Sequence, residues 1–466
     1  MGQGAINYQG VKGNKNLEFV NSIQKSYMVA PDNQIAAGDF VSLAADSDYL
    51  NVFANSSNSH DSTNNIYQLT NDYIFVANKS ESILLKVSEN TVKKSPILAL
   101  NLTHSYCYNS AATMIDENTI LWIVIYRDSV GYTLYANIIK IHEMTMNLVY
   151  STALVTGLGA FGLRIYPLEE KKFLIQSTDS ADDLFVSFTV TVVENDGSYS
   201  FSKGTIYKDS SHWQTATFYS CQLSDSRIYT NATSRTSSHT NYHLYTTVDN
   251  NVISYTNLTW NFSLADIKAV QITPLSTEKY FITYGDSSSF SSYLRAVVAT
   301  FATSSVSLGT ENRINSSYYE SPQCFHRVIS ANSLLINGSY CSTTDGKKAV
   351  LYNLPVTINN TTVTFGAFTI IDSRLATDVL EPTENSFYSS AMIGINRNDA
   401  TFIFRGVFSS WNLYLFKFNF STDTLIKTAL NKMAQKAIKS PCLGIALESK
   451  EAGQDILIAC PYLEEV

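Results

Sequence analysis

Apolar and polar positions recur along the chain in a four-part phrase. An apolar strand meets a tight polar turn, then come a very apolar strand, a longer alternating strand and a more polar fourth one. Its clearest copy reads SAATMID, DEN, TILWIVIYRD, GYTLYANIIKIHE and NLVYSTALV over residues 110–155. Period-two alternation is the mark of a half-buried strand, and an unbroken apolar run of strand length is the mark of one covered on both faces. The first turn of the phrase recurs at Asn71-Asp72, Glu169-Glu170, Ser224 to Ser226, Ser276 to Glu278, Ser330 to Asn332, Asn396 to Asp399 and Lys450 to Asp455. These turns are spaced at roughly 46 to 65 residues, the scale of one four-stranded antiparallel blade or slightly more.

The repeats resemble those of β-propellers in general. They lack the Trp-Asp of WD repeats, the paired glycines of kelch repeats, the Asp box of sialidases and the calcium loops of integrin propellers, so the resemblance is to an architecture. The expectation is an all-β fold, a β-propeller of four-stranded antiparallel blades. Seven copies fall at 64–100, 104–155, 161–208, 215–260, 267–314, 322–371 and 389–430. An eighth, unfinished at the C-terminus, calls for two strands from within residues 39–56, so eight blades closed by strands from both termini are expected, with seven as the alternative. The domain expectation is an N-terminal arm over residues 1–38 and a single propeller over 39–466. Asp196-Gly197 and Asp345-Gly346 read as hairpin turns.

Two segments stand apart from the repeat. Residues 422–439 carry Leu425, Ala429, Met433 and Ile438 at near-helical spacing behind a capping Thr422 or Asp423, which predicts a short amphipathic helix. The arm contains extended pieces, LEFV at Leu17 and SYMV at Ser26. They are expected either to pack along their own ring or to add a strand to a neighbouring copy, which repeated head to tail builds a filament.

Composition narrows the setting. Charged residues make up only 15% of the chain, and Ser, Thr, Asn and 29 Tyr replace them, a surface suited to extracellular β proteins. The net charge of −8 offers no basic stripe for phosphates, which argues against nucleic acid as a partner. No apolar run reaches the ~18 residues of a transmembrane helix. The start MGQGAINYQG has neither a basic nor an apolar leader region, and Ile6 occupies the position where N-myristoylation needs Ser or Thr.

Asn-x-Ser/Thr triplets occur at Asn55, Asn78, Asn101, Asn231, Asn257, Asn261, Asn315, Asn337, Asn359, Asn360 and Asn419. A composition rich in Asn, Ser and Thr generates most of them by chance, but none falls on an expected innermost strand, where a glycan could not reach solvent. Six cysteines lack C-x-x-C spacing. Cys324 with Cys341, and Cys442 with Cys460, flank first turns and could bridge neighbouring strands, each loop contributing roughly 3 kcal/mol. Cys107 and Cys221 either pair with one another or stay as thiols. Together these features lead to the expectation of a secreted chain.

Chemistry is sparse. None of the seven histidines, at 60, 104, 142, 212, 239, 243 and 326, falls in a metal motif, and His239 with His243 reads as a surface pair. Asp179, Asp182 and Asp183, like Asp46 and Asp48, lack the oxygen count of a calcium loop. Glu169, Glu170 and Asp399 are the carboxylates a glycosidase reading would use. No nucleophile elbow or phosphate loop occurs, and neither metal nor cofactor is expected. The expected function is a non-enzymatic secreted glycoprotein, a self-associating structural subunit of a cell-surface or extracellular polymer. The alternative is a carbohydrate-binding or glycoside-cleaving propeller.

Overall fold

The computed structural model describes residues 23–28, 34–37, 40–43, 49–51, 65–78, 81–87, 92–100, 106–128, 131–159, 162–179, 184–209, 215–234, 241–258, 267–287, 292–302, 305–313, 319–342, 348–375, 392–397, 400–407, 412–419, 424–426, 434–436, 444–447, 449–451 and 455–460. Among these residues every regular element is a strand, and none is a helix. The chain divides into two compact units, Tyr49–Thr428 and a second built from Met1–Asp48 with Ala429–Val466.

Within Tyr49–Thr428 the strands fall into antiparallel sheets in chain order, as the alternation predicts. The first sheet takes Asn65–Gln68, Tyr73–Asn78, Glu81–Val87 and Val92–Lys94, and the second takes Tyr106–Asp116, Thr119–Asp128, Gly131–His142 and Thr145–Thr156. The third follows from Arg164–Glu169 to Ser198–Lys203 and the fourth from Thr215–Ser224 to Val252–Asn257. The fifth starts with Ile267–Pro274, the sixth with Tyr319–Ser330 and the seventh with Met392–Arg397; a single pairing, Ser292 with Tyr319, joins the fifth and sixth. This is a β-propeller-type succession of blades.

Second strands are apolar at nearly every position because both faces are covered. Residues 120–126, ILWIVIY, are all fully or almost fully buried. Trp122 meets Phe75 of the first sheet edge-on at 5.4 Å, and each such side chain contributes ~1.5–3 kcal/mol on burial. The cores therefore lie between successive sheets. Leu121, Ile123 and Ile138 pack with Phe173, Phe188 and Val190, and Phe281, Ala296 and Val298 pack with Ile336, Leu354 and Val356.

First strands stand side by side: those of the first and second sheets, second and third, fourth and fifth, fifth and sixth, and sixth and seventh are neighbours. Met392–Arg397, the first strand of the seventh sheet, also lies against Asn65–Gln68 of the first.

The fourth strand is commonly split, a detail that alternation does not reveal. In the first, third, fifth and sixth sheets the outer strand breaks at Ser95, Gly204, Gly309 and Gly366. The N–H of each donates to a third-strand carbonyl, of Leu84, Thr189, Val298 and Pro355, at 2.8–2.9 Å. The outer strand then resumes on the same partner, as Leu98–Ala99, Tyr207–Lys208, Asn312–Arg313 and Thr369–Leu375. Gly309 has no room for a side chain, since a Cβ would overlap the backbone carbonyl of Thr361.

In the seventh sheet two distant segments form this split strand. Thr424–Ile426 pairs with Lys417 to Asn419, and Tyr49–Asn51 pairs with Asn412 to Tyr414. Two expectations change here. The helix over 422–439 is replaced, where that segment is described, by the strands Thr424–Ile426 and Ala434–Lys436. Helical spacing of four apolar residues is a weak preference beside the open edge of Asn412–Asn419, which Thr424–Ile426 satisfies. The two strands expected from residues 39–56 also part company: Tyr49–Asn51 joins the seventh sheet, and Phe40–Leu43 joins the terminal unit.

The terminal unit holds a five-stranded sheet in the order Ile23–Met28, Asp455–Cys460, Gly444–Ala446, Phe40–Leu43 and Ala434–Lys436, with Gln34–Ile35 paired to Lys450–Glu451. Ile23–Met28, within the expected arm, pairs along its whole length with Asp455–Cys460 of its own chain. The hairpin at Asp196-Gly197 is present, with φ of 48° and 79°, and Asp345-Gly346 lies outside the described residues.

Candidate functional site

Two of the polar clusters buried in the Tyr49–Thr428 unit are built around histidines. His326 lies on the first strand of the sixth sheet and is 3% exposed. Its Nδ1 is 3.0 Å from Thr273 Oγ1 and its Nε2 is 2.8 Å from Thr283 Oγ1, both on the fifth sheet. Thr283 Oγ1 is also 2.8 Å from Cys324 Sγ, and the Phe281 ring meets the imidazole edge-on at 4.9 Å. Cys324 and His326 alternate along one strand, so both face the neighbouring sheet. Burial lowers the His326 pKa to about 3 and raises that of the Cys324 thiol to about 12.

His243 occupies the third strand of the fourth sheet and is 6% exposed. Its Nδ1 is 2.6 Å from Tyr229 Oη and 3.2 Å from Asn231 Nδ2, and the Tyr229 ring stacks on it with centroids 6.0 Å apart. Burial lowers its pKa to about 3 as well. Burial therefore favours the uncharged form of both imidazoles and of the thiol. The His326 cluster ties the fifth sheet to the sixth, and Tyr229 and Asn231 fix His243 within the fourth.

Other buried polar groups serve the same end. Gln176 Nε2 donates to Thr246 Oγ1 at 3.0 Å between the third and fourth sheets. Tyr245 Oη donates to the Ala302 carbonyl at 3.0 Å between the fourth and fifth. Tyr67 Oη, 2.5 Å from the Ser110 carbonyl, links the first sheet to the second. Outside the core, Glu194 accepts from Tyr199 at 2.7 Å and Lys171 at 3.0 Å, with Lys140 of the second sheet 3.9 Å away. The hydrogen bonds from Tyr199 and Lys171 lower the Glu194 pKa.

The sequence-derived candidates scatter over this frame. The expected surface pair of histidines is revised: His243 is buried because Tyr229 and Asn231 give it partners, and His239 lies outside the described residues. Asp179 is buried against Lys208 Nζ at 2.5 Å, while Asp182, Asp183, Asp46 and Asp48 lie outside the described residues. Glu169 pairs with Lys172 at 2.6 Å on an exposed turn beside Glu170, and Asp399 is outside the described residues. No group of three or more His, Cys, Asp or Glu that could hold a metal occurs among the described residues.

Cys324 is an unbridged thiol, and so is Cys221. The expected link from Cys324 to Cys341 fails on register: Cys324 stands opposite Gly338, while Cys341 stands opposite Glu320. Flanking a turn does not put two residues in register, and a disulfide needs Cα atoms within ~7 Å. For Cys107, Cys341 and Cys460 only the backbone is described, and Cys442 lies outside the described residues.

Of the acceptor asparagines, Asn231 and Asn337 are 1% and 0% exposed on second strands, packed between sheets where no glycan fits. Asn257 is exposed at the end of a fourth strand, and Asn359 and Asn360 are exposed at a hairpin turn, Asn360 with φ of 58°. Asn78 and Asn419 end strands, with their side chains not described; Asn55, Asn101, Asn261 and Asn315 lie outside the described residues. Sequence reasoning missed the His326 cluster. Its signals were Thr283, a polar residue within the buried run YFITY, and the alternation of Cys324 with His326.

Fold and polar clusters together define a blade-repeat protein of the β-propeller type. No protein-family model matches the chain, and no curated protein matches it. Among solved structures it is similar to a protein from Lactobacillus plantarum, at 10% identity and a TM-score of 0.44, over 85% of this chain and 99% of that one. It is also similar to an ulvan lyase from a new family of polysaccharide lyase, at 9% identity and a TM-score of 0.46, over 84% and 97%. The β-propeller domain of Vanderwaltozyma polyspora Nup133 aligns at 10% identity and a TM-score of 0.43, over 76% and 96%. No helix among the described residues is long and apolar enough to cross a membrane.

Proposed function

We propose that Tyr49–Thr428 closes as a ring of seven blades and that the protein is a non-enzymatic, secreted structural subunit that self-associates in an extracellular or cell-surface assembly. The contact of Met392–Arg397 with Asn65–Gln68 supports closure at seven. The observation that carries the structural role is the use made of buried polar groups. His326, Cys324, Gln176 and Tyr245 all make hydrogen bonds from one sheet to the next, and the histidines and thiol are held uncharged. Such bonds rigidify a ring and leave these side chains unavailable for acid-base or thiol chemistry.

Secretion and N-glycosylation rest on the sparse charge and on exposed acceptors at Asn257, Asn359 and Asn360. The assembly element is the N-terminal segment. Ile23–Met28 stands at the end of the strand order of its sheet, and in this reading residues 1–22, which precede it in the chain, pair with a second copy. Sedimentation velocity of the full chain against a chain lacking residues 1–22 tests assembly. Loss of the larger species supports this reading, and unchanged association rejects it. Turnover in a glycan-hydrolysis screen would replace it with the carbohydrate-cleaving one.

A further inference from the structure

The seventh sheet differs from the others at one point. Elsewhere three residues bridge the two halves of a split outer strand: 95–97, 204–206, 309–311 and 366–368. In the seventh sheet the halves are Thr424–Ile426 and Tyr49–Asn51, and residues 52–423 lie between them in the chain.

Register places the two exits side by side. Ile426 stands opposite Lys417, Tyr49 stands opposite Tyr414, and both halves run antiparallel to Asn412–Asn419. On the ring reading, the blade unit is a circle cut at one outer-strand break. From each side of that cut the chain runs a short way before it is paired again. Residues 44–48 separate Tyr49 from Leu43, residues 427–433 separate Ile426 from Ala434, and Leu43 is the direct strand partner of Ala434. Beyond that pair the two chain ends stay joined through Phe40 with Ile445 and through Ile23–Met28 with Asp455–Cys460.

We infer that the terminal sheet is a clasp: by pairing the two strands that continue from the cut, it keeps Tyr49–Asn51 on the seventh sheet and so holds the ring shut. Three residues of antiparallel pairing fray readily on an open edge. Two short tethers whose far ends are already paired keep the detached strand at high local concentration, so it re-pairs before it escapes. The clasp acts through the chain itself and requires no further contact. The inference rests on the ring reading of Tyr49–Thr428, which particle images test separately.

Hydrogen exchange of the full-length chain tests the clasp. Ser42→Pro removes a donor from Phe40–Leu43, the strand between Gly444–Ala446 and Ala434–Lys436 in the terminal sheet, at the position opposite Gln435. Amides of Tyr49–Asn51 and Asn412 to Tyr414 should then exchange at least about tenfold faster, while those of the second sheet keep their rates. Unchanged rates at Tyr49–Asn51, with protection lost across the terminal sheet, would overturn the inference. A second variant separates it from general unfolding. Adding Tyr49→Cys and Tyr414→Cys, whose positions are direct partners, and oxidising the pair should restore slow exchange in the seventh sheet with the terminal sheet still open. Failure to restore it would show that the loss did not come from strand release.

Discussion

Thr283 Oγ1 lies 2.8 Å from Nε2 of His326 and ties the second strand of the fifth sheet to the first strand of the sixth. The His326 imidazole is bonded on both nitrogens, by Thr273 and Thr283, and burial makes a positive charge there costly. Cys324, the nearest other titratable side chain in the cluster, is itself held protonated by burial and adds no charge.

A pH dependence follows. Each histidine's pKa falls from 6.5 to about 3 on folding, so between those values the unfolded chain binds protons that the folded chain does not. Stability is complete above pH 6.5 and is lost as the pH falls toward 3, at up to ~1.4 kcal/mol per pH unit for each histidine. Urea midpoints measured from pH 7 to 4 should decline. His326→Phe should cost ~1–3 kcal/mol at pH 7 through its unpaired threonines, and should make that decline shallower. A decline of unchanged steepness would contradict the buried, neutral imidazole.

Thiol chemistry gives an independent check. With pKa values of about 12 and about 11, Cys324 and Cys221 should resist alkylation in the folded chain. Cys324 should react about a thousandfold more slowly at pH 8 than an ordinary thiol, and at the ordinary rate in urea. Non-reducing peptide mapping should find no bridge from Cys324 to Cys341.

The acceptor asparagines separate by burial. In folded protein from a glycosylating host, Asn257 and one of Asn359 or Asn360 should carry glycan, and Asn231 and Asn337 should not. Site mapping by mass spectrometry reads this directly. Sugar on Asn337 in folded material would contradict the placement of the second strand of the sixth sheet.

Gly309→Ala sets a Cβ against the Thr361 backbone carbonyl, which cannot rotate away. It should cost about 2 kcal/mol, seen as a lower urea midpoint. Gly197→Ala, at an open turn where only the positive φ of 79° opposes it, should cost about 1 kcal/mol.

How far the chain could be read follows the range of each interaction. The seven blade segments were legible because each strand pairs with its neighbour in sequence and alternation reports that pairing. The sheets from Asn65–Gln68 to Thr424–Ile426 fall within a few residues of the expected segments. Tyr49–Asn51 was misplaced because a three-residue strand carries almost no pattern and its partner, Asn412–Asn419, is remote. The apolar spacing at Leu425 to Ile438 suggested a helix for the same reason: an open strand edge elsewhere in the chain is invisible to local periodicity. At the polar clusters, composition named His326 and Cys324 but not Thr283, more than forty residues earlier. The acceptor triplets told nothing of burial, since Asn231 and Asn337 meet the same three-residue rule as Asn257.

The central claim is a ring of seven blades cut and clasped at the seventh. Cryo-electron microscopy of the purified full-length chain measures it most directly. Seven blades with the first strands Met392–Arg397 and Asn65–Gln68 adjacent is the predicted result; eight blades, with the terminal sheet standing between those two strands, would contradict it.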